Sequence, residues 1–386
     1  MREAGEPASE GVAAEVKSRG ELPITDFSSC RSCRMLDISQ TEAGEKSYCD
    51  DSSVRQRRGG QLKILAMVLA GGNGTRLHPL TAEHAKPALP FARGYRIVDF
   101  VLSNLVNSNI SSIHVLAQYK PQSLITHIQA AWAPWSQGAQ PAIRTVLPES
   151  GARGGAFKGT ADAVHKNRHL IEREQPDLVA IFAADHVYRM DVRQMANFHR
   201  ECGAEVSIAA VPVPIDNASA FGVIATDPAG RLLQFQEKPE RPAPMVTDPS
   251  RAYASMGNYL FNPRVLLDVL DEADRRGETD FGRHILPRLR HSHRVFAYNF
   301  ASNDVPGVWL SEERGYWRDI GTIEAYRAAQ RDVLGPLPRF NLANRKWPIR
   351  GDVCQTQKRL ARPAARAPTG THRMPMGSGA NAMLAE

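Results

Sequence analysis

Ile64-Leu65-Ala66-Met67-Val68-Leu69-Ala70-Gly71-Gly72-Asn73-Gly74-Thr75-Arg76-Leu77 is the stretch from which the rest of the chain can be read. An apolar run breaks into three glycines and then a basic residue. A buried parallel strand that feeds a tight turn has this form, and the turn's backbone N–H groups can approach phosphate closely. Two common phosphate binders are excluded. A P-loop needs Gly-Lys-Ser/Thr, whereas Gly74 is followed by Thr75 and Arg76. A dinucleotide fingerprint starting at Gly72 and Gly74 would need glycine where Leu77 stands. What remains is Gly-Gly-x-Gly-Thr-Arg-Leu, followed by Pro79-Leu80-Thr81 and Lys86-Pro87.

Outward from this turn the pattern predicts alternating strands and helices. Strands are expected at Ile113–Ala117, Ile143–Leu147, Leu178–Ala183 and Val206–Val211. Helices are expected at Asp99–Asn107, Pro121–Ala131, Thr160–Ile171, Val192–Glu201 and Pro263–Glu272. This order predicts an α/β fold, a Rossmann-like domain with a mostly parallel mixed sheet and helices on both faces. Gly222–Thr226 and Leu232–Gln236 flank Asp227-Pro228-Ala229-Gly230, a turn sequence, and so form a hairpin. Ser255–Phe261 and Arg294–Phe300 read as further strands, and Thr322–Leu334 as an amphipathic closing helix. Ligands of such sheets sit outside the carboxyl ends of the strands. The residues just after Leu69, Ala117, Ala184 and Gln236 should therefore face one cleft.

The flanks differ in character. Residues 1–60 are polar, without sustained periodicity, and read as a disordered extension; residues 61–337 read as the folded α/β domain, 338–350 as a short structured segment anchored by Trp347, and 351–386 as a basic disordered tail. The formal charge is +7, of which the tail from Gln355 supplies +4 through Lys358, Arg359, Arg362, Arg366 and Arg373 against Glu386. No aromatic residues interleave with these bases, which argues against nucleic acid. Five cysteines, an odd and sparse set, fit a reducing cytoplasm. Cys30 and Cys33 lack the further ligands of a structural zinc site. No stretch approaches the roughly 20 apolar residues of a membrane span, and the N-terminus has no signal-peptide pattern. The expected location is cytoplasmic.

Several residues could carry chemistry. Asp185 follows a buried strand, where a carboxylate either caps a helix or ligates a hard cation. Asp319 is a second candidate, because Thr322 is the better cap for the helix after it. Two carboxylates plus phosphate oxygens suit Mg²⁺, which keeps waters and needs few protein ligands. Lys238 ends a strand and could donate to a sugar phosphate. Arg76 and Lys86 lie beside the glycine turn, where they could hold departing phosphates. Tyr119 either packs or faces the cleft, and Thr160 reads as a helix N-cap. His165, His169 and His186 form no convincing metal spacing.

Taken together, these stretches resemble the bacterial ADP-glucose pyrophosphorylases (glucose-1-phosphate adenylyltransferases), a branch of the sugar nucleotidyltransferases. The resemblance runs from about Lys63 to Arg350. It rests on Leu69–Leu77, Ala85–Ala88, Arg96–Ser108, Gly159–Val164, Ala184–Tyr188, Val211–Gly222, Glu237–Pro239, Ser255–Gly257, Tyr316–Thr322 and Trp347–Arg350, all in the family's order. Gly-Thr-Ala-Asp-Ala and Trp-Pro-Ile-Arg favour this family over its thymidylyl and uridylyl relatives. The resemblance implies that Gly71, Gly72 and Thr75 cradle the nucleotide, with Arg76 and Lys86 near its phosphates. It implies Asp185 and Asp319 as Mg²⁺ ligands, and Arg76, Lys86, Asp185 and Lys238 in catalysis. Tyr119, Gly222, Glu237, Lys238 and Ser255 match positions that contact glucose phosphate or ADP-glucose.

The implied reaction is ATP plus glucose 1-phosphate giving ADP-glucose and pyrophosphate, for glycogen synthesis. The rival readings are a non-catalytic paralogue that binds sugar nucleotides, and a transferase using another nucleotide. Three departures stand out. Glu83 and His84 replace the basic residues that help bind effectors in the family, although Arg96 is retained. Lys158 stands where relatives often have Arg, keeping charge without the bidentate fork. The family is homotetrameric and ends in a left-handed β-helix of repeats, whereas the 36 residues after Arg350 contain none. The expectation is a frameshifted or truncated end.

Overall fold

The computed structural model describes residues 62–133, 142–149 and 155–351. The expected disorder of residues 1–60 and of 352–386, and the Cys30–Cys33 pair, lie outside the described residues.

β1 (Ile64–Ala70) is the centre of the main sheet. It is buried on both sides because its side chains alternate between two cores. Ile64, Ala66, Val68 and Ala70 face one, and Leu65 and Met67 face the other. The short pair β2 (Pro90–Phe91) and β3 (Tyr95–Arg96) stands apart, antiparallel. β4 (Ser112–Ala117), β5 (Ala142–Val146) and β6 (Leu178–Ala183) then join β1 in the order β6-β1-β4-β5, every pair parallel. Beyond β6 the sheet turns mixed. β11 (Arg251–Phe261) runs antiparallel to β6, β8 (Val206–Pro214) and β9 (Gly222–Thr226), and β12 (Val295–Asn299) is parallel to β8. The hairpin of β9 with β10 (Leu232–Glu237) closes through a turn in which the Gly230 N–H donates to the Asp227 carbonyl at 3.0 Å.

Helices cover both faces, as an α/β sheet with two apolar faces requires. α1 (Val98–Asn107), α2 (Pro121–Ala131) and α5 (Val192–Glu201) seal the first core; α3 (Thr160–Lys166), α4 (Arg168–Glu174) and α6 (Pro263–Arg276) seal the second. α7 (Leu286–Leu289) is a single turn. α8 (Ile323–Asp332) starts at Thr322, whose hydroxyl accepts from the Ala325 N–H at 3.1 Å, the cap expected there.

Two expectations need correction. The helix expected over Thr160–Ile171 breaks at Asn167, whose amide donates to the Ala163 carbonyl at 2.8 Å, so α3 and α4 are separate turns of chain. Thr160 is also not the cap. Gly159 occupies that position, and the Thr160 hydroxyl serves the loop at 280–281 instead.

The remaining two-stranded piece positions the chemistry. β7 (His186–Tyr188) pairs antiparallel with β13 (Trp317–Asp319), with Asp319 opposite His186. Residues 340–351 pack on α1. Phe340, Trp347 and Ile349 are buried, and the Arg350 N–H donates to the Ser103 hydroxyl at 2.8 Å.

Candidate active site

Successive connections run β1 to β4 and β5 on one side, then return to β6 on the other. A crevice therefore opens between the carboxyl ends of β1 and β6, where the strand order reverses. A cleft of about 470 Å³ lies there. A hollow of about 500 Å³ beside Lys63, Ser112 and Arg144 sits at the opposite, amino-terminal ends of the strands, where parallel sheets seldom place a site.

The glycine turn forms one wall. A Cβ at Gly71 or Gly72 would meet no atom within 4 Å, so these positions leave open space over the cleft rather than satisfying a packing need. Gly74 is different. It holds φ +65°, and a Cβ there would lie 2.9 Å from Thr81 Cγ2 and 3.3 Å from Lys86 Cβ. The Thr81 hydroxyl donates to the Gly74 carbonyl at 2.9 Å and fixes the loop from behind. Thr75 and Arg76 are exposed in the short turn that follows.

Beside the turn stands a charged cluster. The Lys86 ammonium donates to Asp185 Oδ2 at 2.6 Å and lies 3.6 Å from Asp319 Oδ1. His186 Nε2 is 3.4 Å from Asp185 Oδ1 and 3.7 Å from Asp319 Oδ1. Burial pushes the Asp185 carboxyl up, but the Lys86 charge, His186 and the Lys86 hydrogen bond outweigh it and hold the group at about 2. Burial also opposes the charge on Lys86, and the two aspartates override it, so its pKa is raised. The carboxylate and the ammonium therefore both stay charged at neutral pH. Asp185 is not a cap. That role belongs to Asp191, which accepts from the Arg193 N–H at 2.9 Å. Potential ligand atoms of Asp185, His186 and Asp319 lie within 4.8 Å of one another. The donor set is carboxylate-rich and therefore suits a hard divalent cation.

The far side is built from β10, β11 and the loop at 279–282. Tyr119, Glu237, Gly257, Tyr259, Asp280 and Gly282 line the cleft with Asp185. β11 bulges between Ser255 and Tyr259, with Gly257 at φ +67° inside the bulge. The Ser255 hydroxyl accepts from the Gly257 N–H at 3.3 Å and so sets this bend. The Glu237 carboxylate lies beneath Gly222 and Gly282. A Cβ would come within 3.3 Å of it at the first position and 2.8 Å at the second. Gly222 also faces the Phe235 ring, 2.7 Å from where its Cβ would stand, and does not itself line the cleft. Lys238 holds φ +49°, in the left-handed region, with its ammonium 3.5 Å from Glu237 Oε1 and its side chain largely exposed. Tyr119 is 44% exposed, so it faces the cleft and is not a core packer.

Three features escaped the sequence reading, and a fourth, His186, was weighed there only with His165 and His169, as forming no metal spacing. His186 joins the carboxylate pair and packs against Trp317, ring centroids 5.2 Å apart. Asp280 accepts from the Thr160 hydroxyl at 3.0 Å and from the Arg283 N–H at 2.9 Å. Gly282 makes room for Glu237. Gln118 clamps the backbone of Phe157, donating to its carbonyl at 3.1 Å and accepting from its N–H, which holds the segment at 155–158 as a cleft wall. For His186 the signal was its place directly after Asp185, within the stretch Ala184–Tyr188, and not its spacing from the other histidines.

The profile of the family described as nucleotidyl transferase matches residues 65–335. The chain is 53% identical over 288 residues to the glucose-1-phosphate adenylyltransferase of Thermodesulfovibrio yellowstonii, covering 74% of this chain and 70% of that protein. The enzymes of the same name from an Anaeromyxobacter species and from Thermus thermophilus are 49% and 45% identical. Alignments cover 74% and 75% of this chain, and 70% and 71% of theirs. With its glycine turn and aspartate pair at the switch point of a nucleotidyltransferase sheet, the chain belongs to the glucose-1-phosphate adenylyltransferase family.

Proposed function

We propose that the chain transfers the adenylyl group of ATP to glucose 1-phosphate, giving ADP-glucose and pyrophosphate. The observation that carries this reading is the Lys86–Asp185–Asp319 cluster, whose Asp185 lines one cleft with Gly71 and Gly72 of the glycine turn. An oxygen of glucose 1-phosphate attacks the ATP α-phosphorus. A P–O bond forms there, and the bond to the bridging oxygen breaks on the opposite side. The nucleophile is already anionic at neutral pH and needs no base. Positioning and charge neutralisation suffice for this direct displacement, with no covalent enzyme intermediate.

The protein's task is to bring two anions together. Gly71, Gly72 and Thr75 would let the nucleotide approach the backbone. Arg76 and Lys86 would hold its phosphates and offset the charge that builds on pyrophosphate. Lys238 would take the sugar phosphate, and Tyr119, Glu237 and Ser255 would shape the glucose side, with Gly222 making room for Glu237. Holding the phosphate oxygen in line converts an encounter between like charges into a reaction within one complex. Asp185 and Asp319 would hold Mg²⁺, which when bound withdraws charge from the phosphate oxygens. The fragment 61–337 is the catalytic unit on this reading.

No helix among the described residues is long and apolar enough to cross a membrane. The nucleotide assignment is tested by comparing kcat/KM for ATP, UTP and dTTP with glucose 1-phosphate. ATP should be preferred by at least about 100-fold, the discrimination a site gains from hydrogen-bonding its own base. Equal use of UTP or dTTP would contradict it.

A further inference from the structure

The position of Lys86 has a consequence for how the cluster is loaded. Its backbone lies in the short turn Lys86–Ala88, pinned from one side where the Ala85 N–H donates to the Ser123 hydroxyl at 3.1 Å. From the other side its stem packs under Gly74. The side chain is only 10% exposed, so its ammonium depends on protein acceptors, and those are Asp185 and Asp319. These are the two carboxylates read above as the ligands of a divalent cation. A cation of Mg²⁺ size sits at about 2.1 Å from each ligand oxygen. An ammonium 2.6 Å from Asp185 Oδ2 stands in that space and repels a second positive charge.

We propose that Lys86 is the resident counter-cation of the Asp185–Asp319 pair in the substrate-free protein, and that a divalent cation enters as the ammonium withdraws toward the phosphates of the incoming nucleotide. This rests on the reading of Asp185 and Asp319 as cation ligands. Lys86 then has two alternative sets of acceptors, the carboxylates or the phosphates. A buried ammonium without a partner is costly, so a cation that enters without nucleotide binds weakly. Because linkage is reciprocal, nucleotide tightens the hold on the cation and the cation tightens the hold on nucleotide. The free protein thereby avoids both an uncompensated pair of half-buried carboxylates and a tightly held adventitious ion.

The test is Mn²⁺ binding to the full chain without nucleotide, read from the free-ion paramagnetic resonance signal. Lys86→Met should bind Mn²⁺ about tenfold or more tightly than the wild type, since the competing charge is gone. Lys86→Arg, which keeps the charge, should stay weak, and Asp185→Asn should abolish binding. Equal affinity in wild type and Lys86→Met, with Asp185→Asn still abolishing it, would overturn the proposal and leave the cation site standing. Absence of binding in every variant would instead remove the cation reading, and the proposal with it. A second measurement uses the wild type alone: acetylation of Lys86 by acetic anhydride, located by mass spectrometry. Saturation with Mn²⁺ should raise its rate, because the ammonium is expelled from the carboxylates. An unchanged rate at saturation would overturn the proposal even where Lys86→Met fails to fold.

Discussion

Gly71 and Gly74 stand three positions apart, and a methyl group means something different at each. At Gly74 it would strike Thr81 on a backbone with positive φ, so Gly74→Ala should cost about 1–2 kcal/mol and lower the melting temperature. At Gly71 it would project into free space, so Gly71→Ala should leave stability within about 0.5 kcal/mol. Its effect should appear as a KM for ATP raised about tenfold, because the backbone can no longer approach phosphate. Calorimetry and steady-state kinetics on the two variants separate these roles; a Gly71→Ala protein with unchanged KM would remove the turn from the nucleotide site. Asp185 supplies a second test, by pH. Its folded pKa of about 2 lies below the ordinary carboxylate value, so its contribution to stability is complete above about pH 4. That contribution is lost as pH falls toward 2. Asp185→Asn should therefore melt lower than wild type at pH 7, with the gap closing near pH 2. A gap independent of pH would show that the Lys86 pair does not stabilise the fold.

The elements differ in how plainly their residues announce them. β1, β6 and α5 were legible because long apolar runs and a helical period leave little choice, and the rule about strand ends then placed Gly71 and Asp185 together. The β7–β13 ladder was not legible. Three residues on each side carry no periodic signal, yet this ladder sets Asp319 opposite His186 and completes the charged cluster. Thr160 misled because threonine before a helix reads as a cap, whereas its hydroxyl is spent on Asp280 and Phe281, 120 residues away in sequence. Asp280 caps, and Gly282 lies in, a single π-helical turn, Phe281–Ile285, whose purpose is visible only once Glu237 is folded against it. α5 also carries a pH-dependent anchor. His199 is buried, its Nδ1 2.9 Å from the Ser207 hydroxyl and its Nε2 3.2 Å from Asn262 Oδ1, an arrangement that satisfies a neutral ring. Burial lowers its pKa, partly opposed by Asn262. The unfolded chain takes up the proton first, so the stability held above about pH 6.5 is lost as pH falls below it. His199→Gln should flatten the dependence of denaturation midpoint on pH between about 5 and 7. An unchanged slope would show that α5 is not the element that titrates.

At the scale of the whole molecule, the parallel core places the glycine turn and Asp185 on one edge, and the mixed half of the sheet carries Glu237, Lys238 and Tyr259 toward it. On the proposed reading, the nucleotide side and the sugar side would come from different halves of one sheet, with Asp185 between β6 and the β7–β13 ladder, which carries Asp319. Pyrophosphate release from ATP and glucose 1-phosphate by the purified chain with Mg²⁺, measured beside Asp185→Asn, tests this account most directly. It predicts turnover by the wild type that depends on both substrates and falls by at least about 100-fold in the variant. Turnover that survives in Asp185→Asn, or a wild type that binds ATP and releases no pyrophosphate, would contradict it.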